Sequence, residues 1–272
     1  MTYSTLMVHL DGARSNAAVL DATATLAQQY HSRVIGIAAC MPVQLGSCDG
    51  YMDGALAVVE RDIVTDELAR AKVEFHAHAG LRSHVLEWRS IPTLENIAHV
   101  VAVDARCADL VITSVGPSPG DRSTHADTGD LVLRAGRPVL VVPDANVTAD
   151  FRNVVVAWTD TRECRRAIMD ALPILHGADR VTLVEAGNDP VAARGGLEDI
   201  AGWLDRHGVG TNRVVSRIRG SAAETLAGIA TDVEADLVVA GAYGHSRIRE
   251  WAFGGVTRDL LLHERHCTLL SH

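Results

Sequence analysis

The chain has 272 residues, 47% hydrophobic and 22% charged, with a net charge of -9 and a pI near 5.8. That length suits two domains of ordinary size, and the apolar content excludes a disordered chain. The acidic balance excludes a broad electrostatic surface for nucleic acid or anionic lipid. Five cysteines (Cys40, Cys48, Cys107, Cys164 and Cys267) show no CxxC spacing. An odd, scattered set fits neither a disulfide framework nor a zinc knuckle, and matches reduced thiols in a cytoplasm.

From the N-terminus, TLMVHL (5–10) is a short apolar run of strand formers. It has no basic segment before it and is too short for a signal peptide or membrane span, so a cytoplasmic location is expected. DGARSNAAVLDATATLAQQY follows, with alanines and leucines at helical spacing. RVIGIAAC (33–40) reads as a second strand, and MPVQLGSCDGYMDG (41–54) as a long loop that either covers a ligand site or is a bland insertion. After an amphipathic helical stretch come a third strand, HVLEW (84–88), and a helix beginning near Pro92. A fourth strand ends in ADLVITSVG, and after another helix GRPVLVVP (136–143) is the last strand of this half.

The polar connection DANVTADFRN (144–153) then separates two copies of one pattern. VVVAW (154–158), a helix, DRVTLVEA (179–186), a helix, RVVSR (213–217), a helix from Ser221, ADLVVAGAYG and finally CTLLSH (267–272) repeat the order. The expected domains are residues 1–145 and 152–272. Alternating strands and helices favour α/β domains, each a doubly wound parallel sheet with helices on both faces.

Ligands of such sheets settle beyond the carboxyl ends of the strands, where the winding reverses. That brings the end of the first strand of the second half (Ala157, Trp158, Thr159, Asp160) beside the loop after its fourth strand, GAYGHSRIREWAFGGVT (241–257). Gly241 and Gly244 would let amide groups curve around an anion. Gly254 and Gly255 would open the helix VTRDLLLH, whose N-terminus favours phosphate. The pattern is neither a GxGxxG after a first strand nor a Walker loop, since no GK[ST] occurs.

With Gly241, Gly244 and Gly254 spaced GxxG, nine residues, Gly, the sequence resembles the universal stress protein family, in its tandem two-domain form. The resemblance implies two five-stranded sheets of order 3-2-1-4-5, with the last strands of the two halves lying against each other. It implies one ATP, with accompanying Mg, in the second half only. The cofactor-binding residues would be Ala157, Trp158, Thr159, Asp160, Gly241, Gly244, His245, Gly254, Gly255, Val256 and Thr257, with phosphates against Gly244, Gly254, Gly255 and Val256.

Two residues depart from the family pattern. Gly255 stands where a phosphate-contacting hydroxyl is usual, with Thr257 as a substitute nearby, and Thr159 takes the place of an Asp that here follows as Asp160. In the first half Asp11 is well placed, but GPSPGDRSTHADTGD (116–130) has lost the glycine spacing and carries Asp121, Asp127 and Asp130, which repel phosphate. That half is expected to be degenerate for nucleotide.

The implied function is a cytoplasmic stress-response module that binds adenine nucleotide. The alternatives are a slow ATPase and a nucleotide-free scaffold that binds a protein or another small ligand. A homo-oligomer is compatible with each, and neither nucleic acid nor a membrane is an expected partner.

Simpler readings stand beside these. The glycines can serve a tight loop alone; Asp11, Asp160 and Thr161 can be helix caps. His245 is a phosphate or ribose neighbour or a solvent-exposed residue, and Arg247, Arg249 and Arg258 a phosphate cluster or a solvated face. Trp251 and Phe253 anchor the loop to the core more readily than they stack on a base. His76 and His78 share a face only on a strand and have no third metal ligand nearby. No GxSxG elbow occurs, and no catalytic residue is nominated.

Overall fold

A computed structural model describes residues 2–42, 54–116, 124–144, 149–186, 190–218, 221–243 and 266–272. The first half contains β1 (Thr5–His9), α1 (Ala17–Tyr30), β2 (Arg33–Cys40), α2 (Gly54–Ala77), β3 (Leu86–Pro92), α3 (Ile97–Asp104), β4 (Leu110–Ser114), α4 (Thr128–Ala135) and β5 (Val139–Val142). The second contains β6 (Asn153–Ala157), α5 (Arg162–Leu175), β7 (Arg180–Ala186), α6 (Pro190–Arg206), β8 (Asn212–Ser216), α7 (Ala222–Asp232), β9 (Leu237–Gly241) and β10 (Cys267–Ser271).

The strands form one sheet in the order β3-β2-β1-β4-β5-β10-β9-β6-β7-β8. Read outward from its middle, each half repeats the expected order 3-2-1-4-5, and within each half every pair is parallel. At the seam β5 and β10 pair antiparallel, with Val139 opposite Leu270, Leu140 opposite Leu269 and Val141 opposite Thr268. The winding therefore reverses twice, between β1 and β4 and between β6 and β9.

Strands covered on both faces need no polar side, which is why VVVA and LVVA run apolar without alternation. Alternate residues still separate into two cores. Val154, Val156 and Trp158 pack with α5 and α6, whereas Val155 and Ala157 pack with α7. Ser221 caps α7 in a reciprocal capping box with Glu224.

The third strand lies later than expected. β3 continues through Pro92 because β2 is eight residues long and offers it seven partners, from Val34 to Cys40. Pro92 is tolerated there because β3 is an outer strand, where a missing N–H leaves no ladder bond unmade. The following helix starts at Ile97, capped by the Asn96 side chain, rather than near Pro92. Among the described residues no helix is long and apolar enough to cross a membrane.

Candidate functional site

The two strand ends that should meet in the second half are neighbours. β6 and β9 pair through Ala157 and Ala240, and Trp158 extends the ladder by donating its N–H to the Val184 carbonyl at 2.7 Å. Thr159 and Asp160 follow as exposed residues. Asp160 pairs with Arg165 at 3.2 Å, while Thr161 caps α5 by accepting the Cys164 N–H. Of the two capping candidates here, the hydroxyl takes the role and the carboxylate does not.

Gly241 ends β9 beside Ser271 of β10. A Cβ on it would lie 2.6 Å from the Glu163 carbonyl carbon and 2.9 Å from Cys164 Cα. Its first demand is thus close packing on the opening turn of α5, not a left-handed backbone. Among the described residues of the loop, the left-handed one is Tyr243, with φ 63°. Burial, then Asp127 and Asp130, push the Tyr243 hydroxyl up to about 12, and a Cβ on Gly129 at the start of α4 would meet that hydroxyl. Tyr243 therefore reaches across the seam. Gly244, His245, Gly254, Gly255, Val256 and Thr257 lie outside the described residues, as do Arg247, Arg249, Trp251, Phe253 and Arg258.

Carboxylates surround this crevice. Burial acts to raise the Glu163 carboxyl, but its own backbone N–H and the Arg162 guanidinium prevail and hold it below its ordinary value. Glu185, on β7, is raised by burial and by Asp160, and its Oε2 has no hydrogen-bond partner.

Trp158, expected among the cofactor-binding residues, is 5% exposed, and its Nε1 has no hydrogen-bond partner. It forms part of a groove of about 500 Å³ with Asp160, Arg165 and Met169 on one side and Gly196, Asp199, Ile200, Trp203 and Arg206 on the other. The signal was available: positions 196, 199, 200, 203 and 206 recur at three and four residues, one face of a helix.

At the equivalent strand ends of the first half, buried side chains bond to one another and to the backbone. Asp11 is buried and accepts the Thr124 hydroxyl at 2.6 Å and the Ala13 N–H at 2.7 Å. It does not cap α1, which begins at Ala17 after Asn16. His125 donates through Nδ1 to the Ala126 carbonyl at 2.6 Å, and its Nε2 lies 3.0 Å from Ser114 Oγ. His9 lies 3.2 Å from Thr113 Oγ1 and meets His125 edge to face at 5.1 Å. Burial holds both imidazoles below their ordinary values; His125 lowers His9 further, whereas Asp11 partly restores His125. Asp127 caps α4 by accepting the Asp130 N–H; Asp121 lies outside the described residues.

His76 is in α2 and His78 just beyond it, where it pairs with Asp21 at 3.0 Å. Among the described residues no cluster of three metal-ligating side chains occurs, and Cys40, Cys107, Cys164 and Cys267 are free.

The fold defines a tandem doubly wound α/β protein whose halves differ at their switch points: Asp11 is buried in the first, whereas Thr159 and Asp160 are exposed in the second. Residues 150–269, in the second half, match the model of the universal stress protein family. A universal stress protein from Archaeoglobus fulgidus matches 98% of this chain and 95% of its own, at 10% identity and a TM-score of 0.74. A functionally unknown protein from Pseudomonas aeruginosa matches 99% and 92%, at 12% identity and a TM-score of 0.61. A universal stress protein solved in complex with cAMP matches 45% of this chain and 98% of its own, at 20% identity and a TM-score of 0.35. Likeness at these identities concerns the fold. No curated protein matches the chain in sequence.

Proposed function

We propose that residues 152–272 form a domain that binds one adenine nucleotide per chain, and that residues 1–145 form a partner domain that binds none. The chain would then act as a nucleotide-responsive module of the stress-response type rather than as an enzyme. The observation that carries this reading is the asymmetry of the two switch points. In the first half Asp11, Thr124 and His125 occupy the crevice with satisfied hydrogen bonds. In the second, β9 delivers Gly241 beside the exposed Thr159 and Asp160, and the sequence continues with the glycines of the family motif.

Titration calorimetry with MgATP tests it. Binding at a stoichiometry of one is expected for the native chain, loss of binding for Gly244→Val, and unchanged binding for Asp11→Asn. Gly255→Ser, which restores the family's hydroxyl, should strengthen binding by up to about 1.5–3 kcal/mol, the range for a hydrogen bond to a charged group. No heat at millimolar ATP, or equal binding by the Gly244 variant, overturns the reading.

The carboxylates of Asp160, Glu163 and Glu185 around the crevice favour a second reading, a nucleotide-free scaffold. Release of small molecules from freshly purified, denatured protein separates the two, because a bound adenine nucleotide brings the ultraviolet absorbance of its base. Phosphate release over time decides whether slow hydrolysis accompanies binding.

A further inference from the structure

The groove between α5 and α6 shares Trp158 and Asp160 with the nucleotide reading, but the rest of its lining lies outside that reading. It runs down the flank of α5 that carries Arg165 and Met169, whereas Gly241 packs on Cys164. Its walls are apolar and aromatic, with Met169 exposed, Ile200 and Trp203 partly exposed and Asp160, Arg165, Asp199 and Arg206 along the rim. The buried Trp158 contributes an indole N–H without a partner, and a Cβ built on Gly196 would sit 3.6 Å from that nitrogen. The N–H therefore faces the gap that Gly196 leaves. A buried donor without an acceptor costs stability, and an indole N–H in folded proteins normally finds a partner.

The first half shows what a closed version looks like. Gly12 is packed against Glu67 of α2, where an added Cβ would lie 2.8 Å from the Glu67 Cβ. Asn16, the residue that precedes α1, bonds Glu74 of α2 twice, at 2.7 and 2.8 Å. The position equivalent to Trp158 is Leu10, which has no polar atom in its side chain; both follow their strand and donate their N–H to the second strand. Among the described residues α5 and α6 are bridged only where they end, by His176 Nε2 at 2.7 Å from the His207 carbonyl. Gly196 costs α6 helix stability without being forced by contact, since a Cβ there would make only ordinary van der Waals contact.

We propose that this groove binds a flat, largely apolar ring compound bearing a carbonyl or ring-nitrogen acceptor, held by the Trp158 indole N–H and covered by Trp203. About 500 Å³ is the size of a small-molecule pocket. The rings of Trp203 and the side chains of Met169 and Ile200 supply apolar contact, and the single unpartnered donor supplies orientation. The proposal requires no nucleotide.

The probe is 2-quinolinone, a planar bicyclic lactam, with indole as a ring of similar shape that lacks a comparable acceptor. Proton–nitrogen spectra of the whole protein contain indole signals from four tryptophans, and the one missing in Trp158→Phe is assigned to that residue. Quinolinone should move this signal saturably and bind more tightly than indole, and Trp158→Phe should weaken it roughly two- to tenfold, as for a neutral hydrogen bond.

Gly196→Leu and Met169→Trp fill the groove from opposite walls and should each weaken binding by at least about tenfold. Should one variant fail to fold, the other reads the same quantity. No movement of the Trp158 signal at about 1 mM quinolinone, or undiminished affinity in a folded filling variant, overturns the proposal. Displacement of quinolinone by MgATP overturns it as well, because the groove would then be part of the nucleotide crevice. Failure of ATP to bind leaves these outcomes unaffected.

Discussion

At Gly241 the place of a side chain is already taken by the backbone of Glu163 and Cys164 in the first turn of α5. Backbone cannot swing aside as a side-chain tip can, so Gly241→Ala should push β9 off α5 and destabilise the fold by about 1–3 kcal/mol. Urea unfolding should show a lower midpoint at unchanged slope; an unaltered midpoint would mean that the strand end yields freely. The buried imidazoles of His9 and His125 are held neutral, so between their lowered values and about 6.5 the unfolded chain binds protons that the folded chain refuses. Stability is accordingly complete above that range and falls as the pH drops through it, with a slope approaching about two protons per molecule. Unfolding midpoints compared at pH 7.5 and pH 5 (roughly spanning the imidazole range) check the sign, and His9→Leu should reduce the slope. Glycine spacing made the existence of a loop legible in the sequence, but not this packing demand on Gly241. Asp11 looked like a cap or a site carboxylate because its partner Thr124 is distant in sequence, and such long-range pairing leaves no local signature.

Helix α6 contains the adjacent pair Gly195 and Gly196 in its interior, where each costs roughly 0.5–1 kcal/mol relative to alanine. Nothing lies within 4 Å of a Cβ on Gly195. Gly195→Ala should therefore raise thermal stability by about that amount, while leaving any groove ligand bound as before; scanning calorimetry measures the gain. In α7, Ser221→Ala removes the hydroxyl half of the capping box and should cost about 1 kcal/mol by urea denaturation. Elements of this kind were the most readable in the sequence. Ser221 and Glu224 announce a helix start by themselves, and the central strands declare themselves by unbroken apolar runs. The outer strand β3 was misplaced because Leu86–Pro92 owes its extent to the length of β2, a property of the partner and not of its own residues. The groove beside Trp158 was missed for a similar reason: it arises from a helix face nearly forty residues downstream that begins at Gly196.

The whole molecule is joined at β5 and β10 and by contacts that cross the same seam. Tyr3 donates to the Asp170 carbonyl at 2.6 Å, Arg166 to the Gly136 carbonyl at 2.6 Å, and Tyr243 abuts Gly129. Leu269 and Leu140, both fully buried, face each other in the ladder. Leu269→Asp places an unpaired charge there and should cost more than about 3 kcal/mol. Because each half closes its edge on the other, the native chain should unfold in one transition, and this variant should loosen both halves together. Hydrogen exchange resolved by segment checks it: persistence of full protection in β1, β2 and β4 of the variant would show that the halves stand independently.

A symmetric dimer receives every substitution twice, so a change that closes one crevice closes both. One chain with two halves is free of that constraint. Here His125 and Thr124 bond within the first half, whereas Trp158 meets Gly196 in the second. Labels or substitutions in such a chain report on one half at a time, an asymmetry of reading that a dimer of identical copies does not offer.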